Sequence, residues 1–376
     1  MPNEGKRRPD KVGATYTVGR KLGRGSFGSI YLAVNSESGE ELAVKVEKRK
    51  MKNSMLQHES SVAKTLAGGV GIPKIHYCEV TGDSTVMVMD LLGPSLEDLF
   101  CMCERHFSVV TVAMIAEQVL TRIEWIHSKS YVHRDIKPEN FLVGRGSSGD
   151  LIYLIDFGLA KLYCDPETKA HIGYKANKSL TGTARYASIH AHMGAEQGRR
   201  DDLEAIGYML MYFLRGRLPW QGFHGNTKEE KYAHILESKK TTQVETLCEG
   251  FPEAFVTYLR YCRELAFEAQ PDYQYLRRIF SDLLEKDPEG KEHLFDWLVP
   301  QRVGPGYEAL FSDGRGHDSR TCHSTVTKGA TLGATDVAEL GSRARTGDIE
   351  PQISRGKGVL GLFSSLCSRG ISSHRK

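Results

Sequence analysis

The stretch that most constrains the fold is residues 131–140, with the sequence YVHRDIKPEN, together with the DFG tripeptide at 156–158. Two short apolar runs, 141–143 and 151–155, lie between them and are separated by a turn rich in glycine and serine. Short apolar runs around such a turn predict a β-hairpin. This hairpin would carry an acidic residue at each of its ends.

The order of these residues resembles the catalytic signature of protein kinases, in which an Asn follows the Asp of His-Arg-Asp by five residues. The resemblance implies that Asp135 accepts the proton of an incoming hydroxyl and that Lys137 lies beside the transferred γ-phosphate. Asn140 and Asp156 would hold Mg²⁺ on the phosphates of ATP. A single loop acid is usually a solvated surface charge, but the whole constellation in this order argues against that alternative.

A glycine-rich segment near the amino terminus follows a predicted strand at 16–22 and precedes another at 29–34. Its backbone N–H groups could close over phosphates because no side chains stand in the way. The pattern GxGxxG also occurs in dinucleotide-binding folds, but here it opens a strand rather than a helix, which disfavours them. The residues predicted to bind nucleotide here are Gly23, Gly25, Ser26, Phe27 and Gly28.

Lys45 lies inside an apolar run, where a lysine is costly unless it has partners. An ATP phosphate and Glu59, on a helix predicted at 55–66, would supply them. The alternative is an edge-strand lysine that points to solvent.

A further apolar strand at 85–92 ends at Gly-Pro and is predicted to connect a small β-rich lobe to a larger helical one. Adenine is expected to stack there between apolar side chains, although apolar stripes are more often plain core. The predicted adenine contacts are Leu22, Ile30, Ala43, Met89, Leu92 and Leu142.

Over residues 16–298 the chain resembles serine/threonine protein kinases of the casein kinase 1 family. The more specific stretches are LLGPSLEDLF (91–100), DFGLAK (156–161), LTGTARYAS (180–188), RRDDLE (199–204), LPWQG (218–222) and PDYQYL (271–276). The resemblance implies an α+β, bilobal protein-kinase fold with an N-lobe at 16–92 and a C-lobe at 93–298. A basic N-terminus at 1–15 and a Gly/Ser/Thr-rich tail at 299–376 are predicted to be disordered.

Members of that family prefer serines or threonines downstream of a phosphate or of acidic residues. The resemblance assigns the anion site to basic and amide side chains, since guanidinium and ammonium groups bind phosphate by charge-assisted hydrogen bonds. A single exposed base is usually only a solvated charge. The predicted residues are Arg185, Gln221, Lys231 and Lys178, with Arg134 and Lys161 beside Lys178 in a second basic patch.

The chain departs from the family pattern at two places. The tripeptide at 188–190 is Ser-Ile-His where the family has Ser-Ile-Asn, which leaves its hydrogen bonding an open question. Glu229 and Glu230 precede Lys231, and we expect them to oppose a second anion.

Composition excludes several other classes. The net charge is only +3 and no apolar run reaches membrane-spanning length, so neither nucleic acid nor a strong membrane anchor is expected. The 8 cysteines show no paired ligand spacing, which predicts reduced thiols rather than zinc. Cys367 follows a late apolar island at 358–363, where a loose tail is favoured over an acylated docking segment.

These observations predict an enzyme, an ATP- and Mg²⁺-dependent serine/threonine kinase that acts in signalling on acidic or phosphorylated proteins. It is expected to be monomeric and cytoplasmic, with nuclear import through the basic cluster at 6–8 as the less favoured alternative. The alternative from another class is a catalytically weak kinase-like scaffold. Such scaffolds usually lose at least one phosphoryl-transfer residue, and none is missing here.

Overall fold

The amino-terminal lobe is an antiparallel sheet, and two of its strands each bury four consecutive residues, 42–45 and 85–88. Apolar residues of one face, among them Val18, Leu42 and Val88, pack together as a small core. Register shifts between the second and third strands mark irregularities of the kind that increase sheet twist. The strands are β1 (Lys11–Val12), β2 (Tyr16–Arg24), β3 (Ser29–Asn35), β4 (Glu41–Lys48), β5 (Ile75–Thr81) and β6 (Ser84–Asp90). Their order in the sheet is β1-β2-β3-β4-β6-β5.

The structure, a computed structural model, describes residues 11–25, 28–48, 54–286 and 293–299. All of them belong to the compact unit Met1–Ala338. Most of the two predicted disordered termini, Cys367 included, lies outside the described residues, as do Ser26 and Phe27 of the glycine-rich loop. The predicted domain boundaries therefore remain predictions.

Helix α1 (Met55–Leu66) connects the two lobes because its apolar stripe belongs to the core of the larger one. Val62, Ala63 and Leu66 lie on that stripe at helical spacing, and all three are buried. The helix begins at Ser54, whose hydroxyl accepts a hydrogen bond from the Gln57 amide. The bounds of α1 match the prediction from sequence.

The larger lobe is mainly helical and has two short strand pairs among its described residues. Its helices are α2 (Leu96–Met102), α3 (Val109–Ser128), α4 (Ile189–His192), α5 (Arg199–Arg215), α6 (Lys228–Thr241), α7 (Val244–Leu247), α8 (Glu253–Glu264) and α9 (Tyr273–Glu285). Its strands are β7 (Tyr131–Val132), β8 (Phe141–Val143), β9 (Ile152–Leu154) and β10 (Lys161–Leu162). Strand β8 pairs with β9, and β7 pairs with β10, both antiparallel.

Aromatic rings fill the centre of the larger lobe. Phe107 contacts Phe100, Phe213 and Trp297, with ring centroids 5.1 to 5.5 Å apart in tilted or edge-on geometry. Because Trp297 is fully buried there, the last described residues are part of this core. None of the described helices is both long and apolar enough to span a membrane.

The predicted α+β, bilobal fold is confirmed, and so is the β8–β9 hairpin. Sequence reasoning missed α6, which has a weak apolar pattern. Only Ile235 and Lys239 of its 14 residues are buried. A lysine on the buried side of a helix conceals the apolar face by which such a helix is normally recognised.

Candidate functional site

The loop at 131–140 is held by one buried carboxylate, that of Asp202 at the start of α5. It accepts hydrogen bonds from the backbone amides of His133 (2.7 Å) and Arg134 (2.9 Å) and from Nε2 of His127 (2.9 Å). Burial alone would raise the pKa of Asp202, but these donors lower it below its ordinary value. Arg134 takes a left-handed backbone conformation (φ 68°), which these bonds stabilise.

Asp135, the predicted proton acceptor, lies where three other side chains converge. Its Oδ2 accepts a hydrogen bond from Lys137 Nζ at 2.6 Å, and its Oδ1 accepts one from Thr183 Oγ1 at 2.8 Å. Asn140 Nδ2 donates to the Asp135 carbonyl at 2.8 Å. Burial would lower the pKa of Lys137, but the Asp135 carboxylate raises it above its ordinary value. The structure thus brings together the three residues predicted from the loop and adds Thr183.

Thr183 was not among the predicted catalytic residues. It lies within the stretch at 180–188 that carries the family resemblance, so a signal was present, although no role was assigned to Thr183. Its hydroxyl contact links the segment after residue 180 to Asp135.

Lys45 has the acidic partners that its apolar surroundings require. Its Nζ lies 2.6 Å from Glu59 Oε2 and 3.4 Å from Asp156 Oδ1. Burial alone would lower the pKa of Lys45, but the two carboxylates more than offset this, so the ammonium form is favoured. The alternative of a solvent-facing lysine is therefore wrong.

Two predicted metal ligands have donor atoms suited to Mg²⁺. Asp156 offers carboxylate oxygens from a left-handed backbone position (φ 64°). Because Asn140 uses Nδ2 to bind the Asp135 carbonyl, its amide oxygen is the atom left for a ligand. Among the described residues there is no group of three or more His, Cys, Asp or Glu side chains that could hold a metal ion.

The glycine-rich loop requires glycine at one position in particular. A Cβ on Gly28 would lie 2.1 Å from the Val46 carbonyl oxygen, so no other residue fits without moving β4. The Gly25 amide donates to the Gly28 carbonyl at 2.9 Å, which closes the turn.

The predicted adenine contacts lie where the two lobes meet. Ala43 pairs with Met89 in the sheet, and Leu142 forms a bridge with Ser95 beyond the connecting segment. Except for Ala43, which is buried, these contact residues are only half-buried, so a ligand could still cover them. The half-buried ones are Leu22, Ile30, Met89, Leu92 and Leu142.

Helix α1 is attached to β4 at a second point besides Lys45. Glu47 accepts hydrogen bonds from the Leu56 amide (3.0 Å), the Met55 amide (3.4 Å) and the Ser54 hydroxyl. A carboxylate at a helix amino terminus satisfies free N–H groups and interacts favourably with the helix dipole. Glu47 thus fixes the start of the helix that carries Glu59.

Arg185 forms no ion pair within 4 Å among the described residues, although the carboxylates of Glu139 and Glu97 interact with it electrostatically. Its guanidinium lies over the rings of Tyr186 and Tyr212, 5.6 and 5.7 Å from their centroids. Its own carbonyl accepts a hydrogen bond from Trp220 Nε1 at 2.7 Å, next to Gln221. Gln221 uses Oε1 to bind the Leu218 amide, which leaves its NH₂ group for a ligand.

Lys178, unlike Arg185, forms an ion pair. It lies 3.6 Å from Glu196, which also pairs with Lys161 at 2.9 Å. Burial would raise the pKa of Glu196, but Lys161, Lys178 and Arg134 lower it. The second basic patch therefore contains its own acid, and an anion bound there would have to compete with Glu196.

The acids before Lys231 are not equivalent. Glu230 accepts a hydrogen bond from the Asn226 amide at 2.7 Å, and its own amide donates to the Thr227 hydroxyl at 3.1 Å, which caps α6. Glu229 is exposed in the same first turn. Because a hydrogen-bonded carboxylate keeps its charge, the opposition of both acids to a second anion stays a prediction.

Comparison with known protein families gives one match over most of the chain. The family model described as the protein kinase domain matches residues 16–291. The matched stretch contains the site around Asp135, the pair of Lys45 and Glu59, and Arg185.

We predict that Glu47→Gln loosens the start of α1 without unfolding the protein. Loss of a charged cap costs about 0.5–2 kcal/mol, so amide hydrogen exchange at residues 55–57 should accelerate several-fold to about thirtyfold. Glu37→Gln, at an exposed acid in the turn before β4, serves as the control. Unchanged exchange at 55–57 in Glu47→Gln would show that the carboxylate does not hold the helix.

Proposed function

Since this chain belongs to the protein kinase domain family, we propose that it is a serine/threonine kinase of the casein kinase 1 type. The family makes it a phosphotransferase that uses ATP. The proposal adds the acceptor, which is Ser or Thr of a protein, and the substrate preference, which is an acidic or phosphorylated residue upstream. The observation that carries the preference is Arg185, which is held over two aromatic rings and forms no direct ion pair among the described residues.

Asp135 would orient the attacking hydroxyl and accept its proton as the oxygen bonds to the γ-phosphorus of ATP. Its two carboxylate oxygens are held by Lys137 and Thr183, so its orientation is fixed before substrate binds. As the bond to ADP breaks, charge develops on the transferred group. Lys137, whose ammonium form is favoured, can stabilise that charge.

Lys45 would bind the phosphates that remain on ADP, and its ion pair with Glu59 holds it in place. Asn140 and Asp156 would hold Mg²⁺, which supplies charge neutralisation on the phosphate oxygens. The contact between Asp156 and Lys45 is long, 3.4 Å, so the carboxylate can exchange that partner for a cation. Taken together, these residues support turnover rather than a scaffold that only binds partners.

An acidic substrate residue would replace the missing partner of Arg185. A phosphoserine carries nearly two negative charges and three acceptor oxygens, and a guanidinium binds two of them at once. Arg105 shows what a paired arginine looks like nearby, since it contacts both Glu97 and the Tyr212 hydroxyl. The same ring, Tyr212, lies under Arg185, so one aromatic side chain contacts both arginines. A monomeric, cytoplasmic protein is part of the same proposal.

We expect Asp156→Asn to lower the rate of phosphate transfer by on the order of 10³-fold or more, because charge neutralisation of the phosphates is lost. The variant should keep the unfolding temperature of the wild type. Asp150→Asn, at an exposed acid between β8 and β9, is the matched control and should transfer phosphate normally. Near-normal transfer by Asp156→Asn would rule out its assigned role.

For substrate choice, the variant to test is Arg185→Ala. Loss of one charge-assisted contact costs about 1.5–3 kcal/mol, so kcat/KM for a peptide with an upstream phosphoserine should fall roughly ten- to hundredfold. The matched peptide without that phosphate should be affected little. Arg217→Ala, at an exposed arginine, is the control. Equal losses on both peptides would mean that Arg185 supports the fold instead of binding the phosphate.

A further inference from the structure

Lys239 of α6 is a fully buried lysine without an ion pair among the described residues. Its Nζ donates hydrogen bonds to the carbonyls of Ala184, at 3.0 Å, and Ala187. It also lies over the rings of Tyr208 and Trp220, 4.8 and 5.1 Å from their centroids. Burial lowers the pKa of Lys239 well below its ordinary value. Such a group is expensive to bury, so its position calls for an explanation.

The carbonyls that Lys239 binds flank the proposed substrate-binding arginine. Between them lie Arg185 and Tyr186, whose ring supports the guanidinium. The Ala184 carbonyl also accepts a hydrogen bond from His192 Nε2 at 2.9 Å. Together with the bond from Trp220 to the Arg185 carbonyl, these contacts give donors to three of the four carbonyls in the segment 184–187. Lys239 is the donor to the Ala187 carbonyl, and it shares the Ala184 carbonyl with His192.

The segment that follows is held by a different set of groups. Asp201 binds the Ser188 hydroxyl at 2.5 Å, and Glu204 accepts a hydrogen bond from the Ile189 amide at 3.0 Å. His190, the departure from the family tripeptide, contributes nothing comparable, because its buried Nδ1 has no hydrogen-bond partner. The acids of α5 therefore hold the chain at residues 188 and 189, and Lys239 holds the segment 184–187 that precedes them.

We propose that Lys239 is a positioning residue for substrate recognition, which sets the backbone path of 184–187 so that Arg185 faces the acidic or phosphorylated residue of the substrate. The inference rests on the proposed function, because the role of Lys239 acts through Arg185. Two carbonyls three residues apart, bound by one amino group, fix both the position and the turn of the chain between them. An apolar side chain of equal length would fill the same space and leave the Ala187 carbonyl without a donor.

The decisive variant is Lys239→Met, which keeps an unbranched side chain, one atom shorter, and removes the hydrogen-bond donors. KM for the phosphoserine-containing peptide should rise about tenfold or more, and the preference for it over the unphosphorylated peptide should shrink. KM for ATP should stay within about twofold, since the contacts of Lys45 and the glycine-rich loop are elsewhere. Lys240→Met, the exposed neighbour on the same helix, should behave like the wild type.

A second variant keeps the test decisive if Lys239→Met does not fold. Trp220→Phe retains an aromatic ring but removes the Nε1–H that binds the Arg185 carbonyl. We expect a smaller loss of the same kind, about three- to tenfold in kcat/KM for the phosphoserine peptide, with KM for ATP unchanged. A smaller loss in Lys239→Arg than in Lys239→Met would support the role of Lys239 as a hydrogen-bond donor.

Three results would overturn the proposal. The first is Lys239→Met behaving like Lys240→Met. The second is a change in KM for ATP as large as that for peptide, which would indicate a general structural role. The third is unaltered kcat/KM of Trp220→Phe for the phosphoserine peptide. A wild type that does not favour that peptide would instead contradict the proposed substrate class, and Lys239 would then be judged by KM for any accepted peptide.

Discussion

The site depends on the buried carboxylate of Asp202 more than on any other single group. It binds two successive backbone amides of the loop and the imidazole of His127, so one side chain of the helical lobe fixes the loop conformation. The loop in turn presents Asp135, and Thr183 reaches the same acid from the segment after residue 180. Parts of the chain that are distant in sequence are thereby held within hydrogen-bond distance of one carboxylate.

The basic side chains of the site fall into two groups, those that form ion pairs and those that do not, and the two groups have different proposed roles. The charges expected to handle phosphate are paired before any ligand binds, as Lys45 is with Glu59 and Lys137 is with Asp135. Arg185 and Lys239 form no direct ion pair among the described residues and contact aromatic rings and, for Lys239, backbone carbonyls instead. An ion pair that forms before ligand binding fixes the positions of its two side chains. A guanidinium without an ion pair can instead bind an anionic group of the substrate.

Much of this arrangement could be predicted from sequence because its signals are local. The motif at 131–140 and the apolar runs after it predicted the hairpin and two neighbours of Asp135, Lys137 and Asn140, but not Thr183. The role of Lys239 could not be predicted, since it depends on carbonyls that are more than fifty residues away and on two rings from other elements. A sequence pattern does not indicate which backbone carbonyls a side chain will contact. A lysine in a polar helix is therefore normally predicted to be a solvated charge.

The assignment of Lys178 shows a related limit. Proximity to other basic residues in the family pattern placed it with Arg185, but a buried acid that sequence reasoning left out, Glu196, joins it to Lys161 instead. A basic side chain can pair with an acidic side chain of the same protein as readily as it can bind an anionic ligand. Which of the two occurs is decided by tertiary contacts rather than by motif.

The most direct test of the central claim is phosphate incorporation from ATP, in the presence of Mg²⁺, into peptide libraries with a single acceptor type. We predict transfer to serine and threonine, faster when a phosphoserine lies upstream, and none to tyrosine. Binding of Mg²⁺–ATP by the folded protein without transfer to any peptide would contradict the account and favour a scaffold. Transfer to tyrosine alone would contradict the assigned acceptor class.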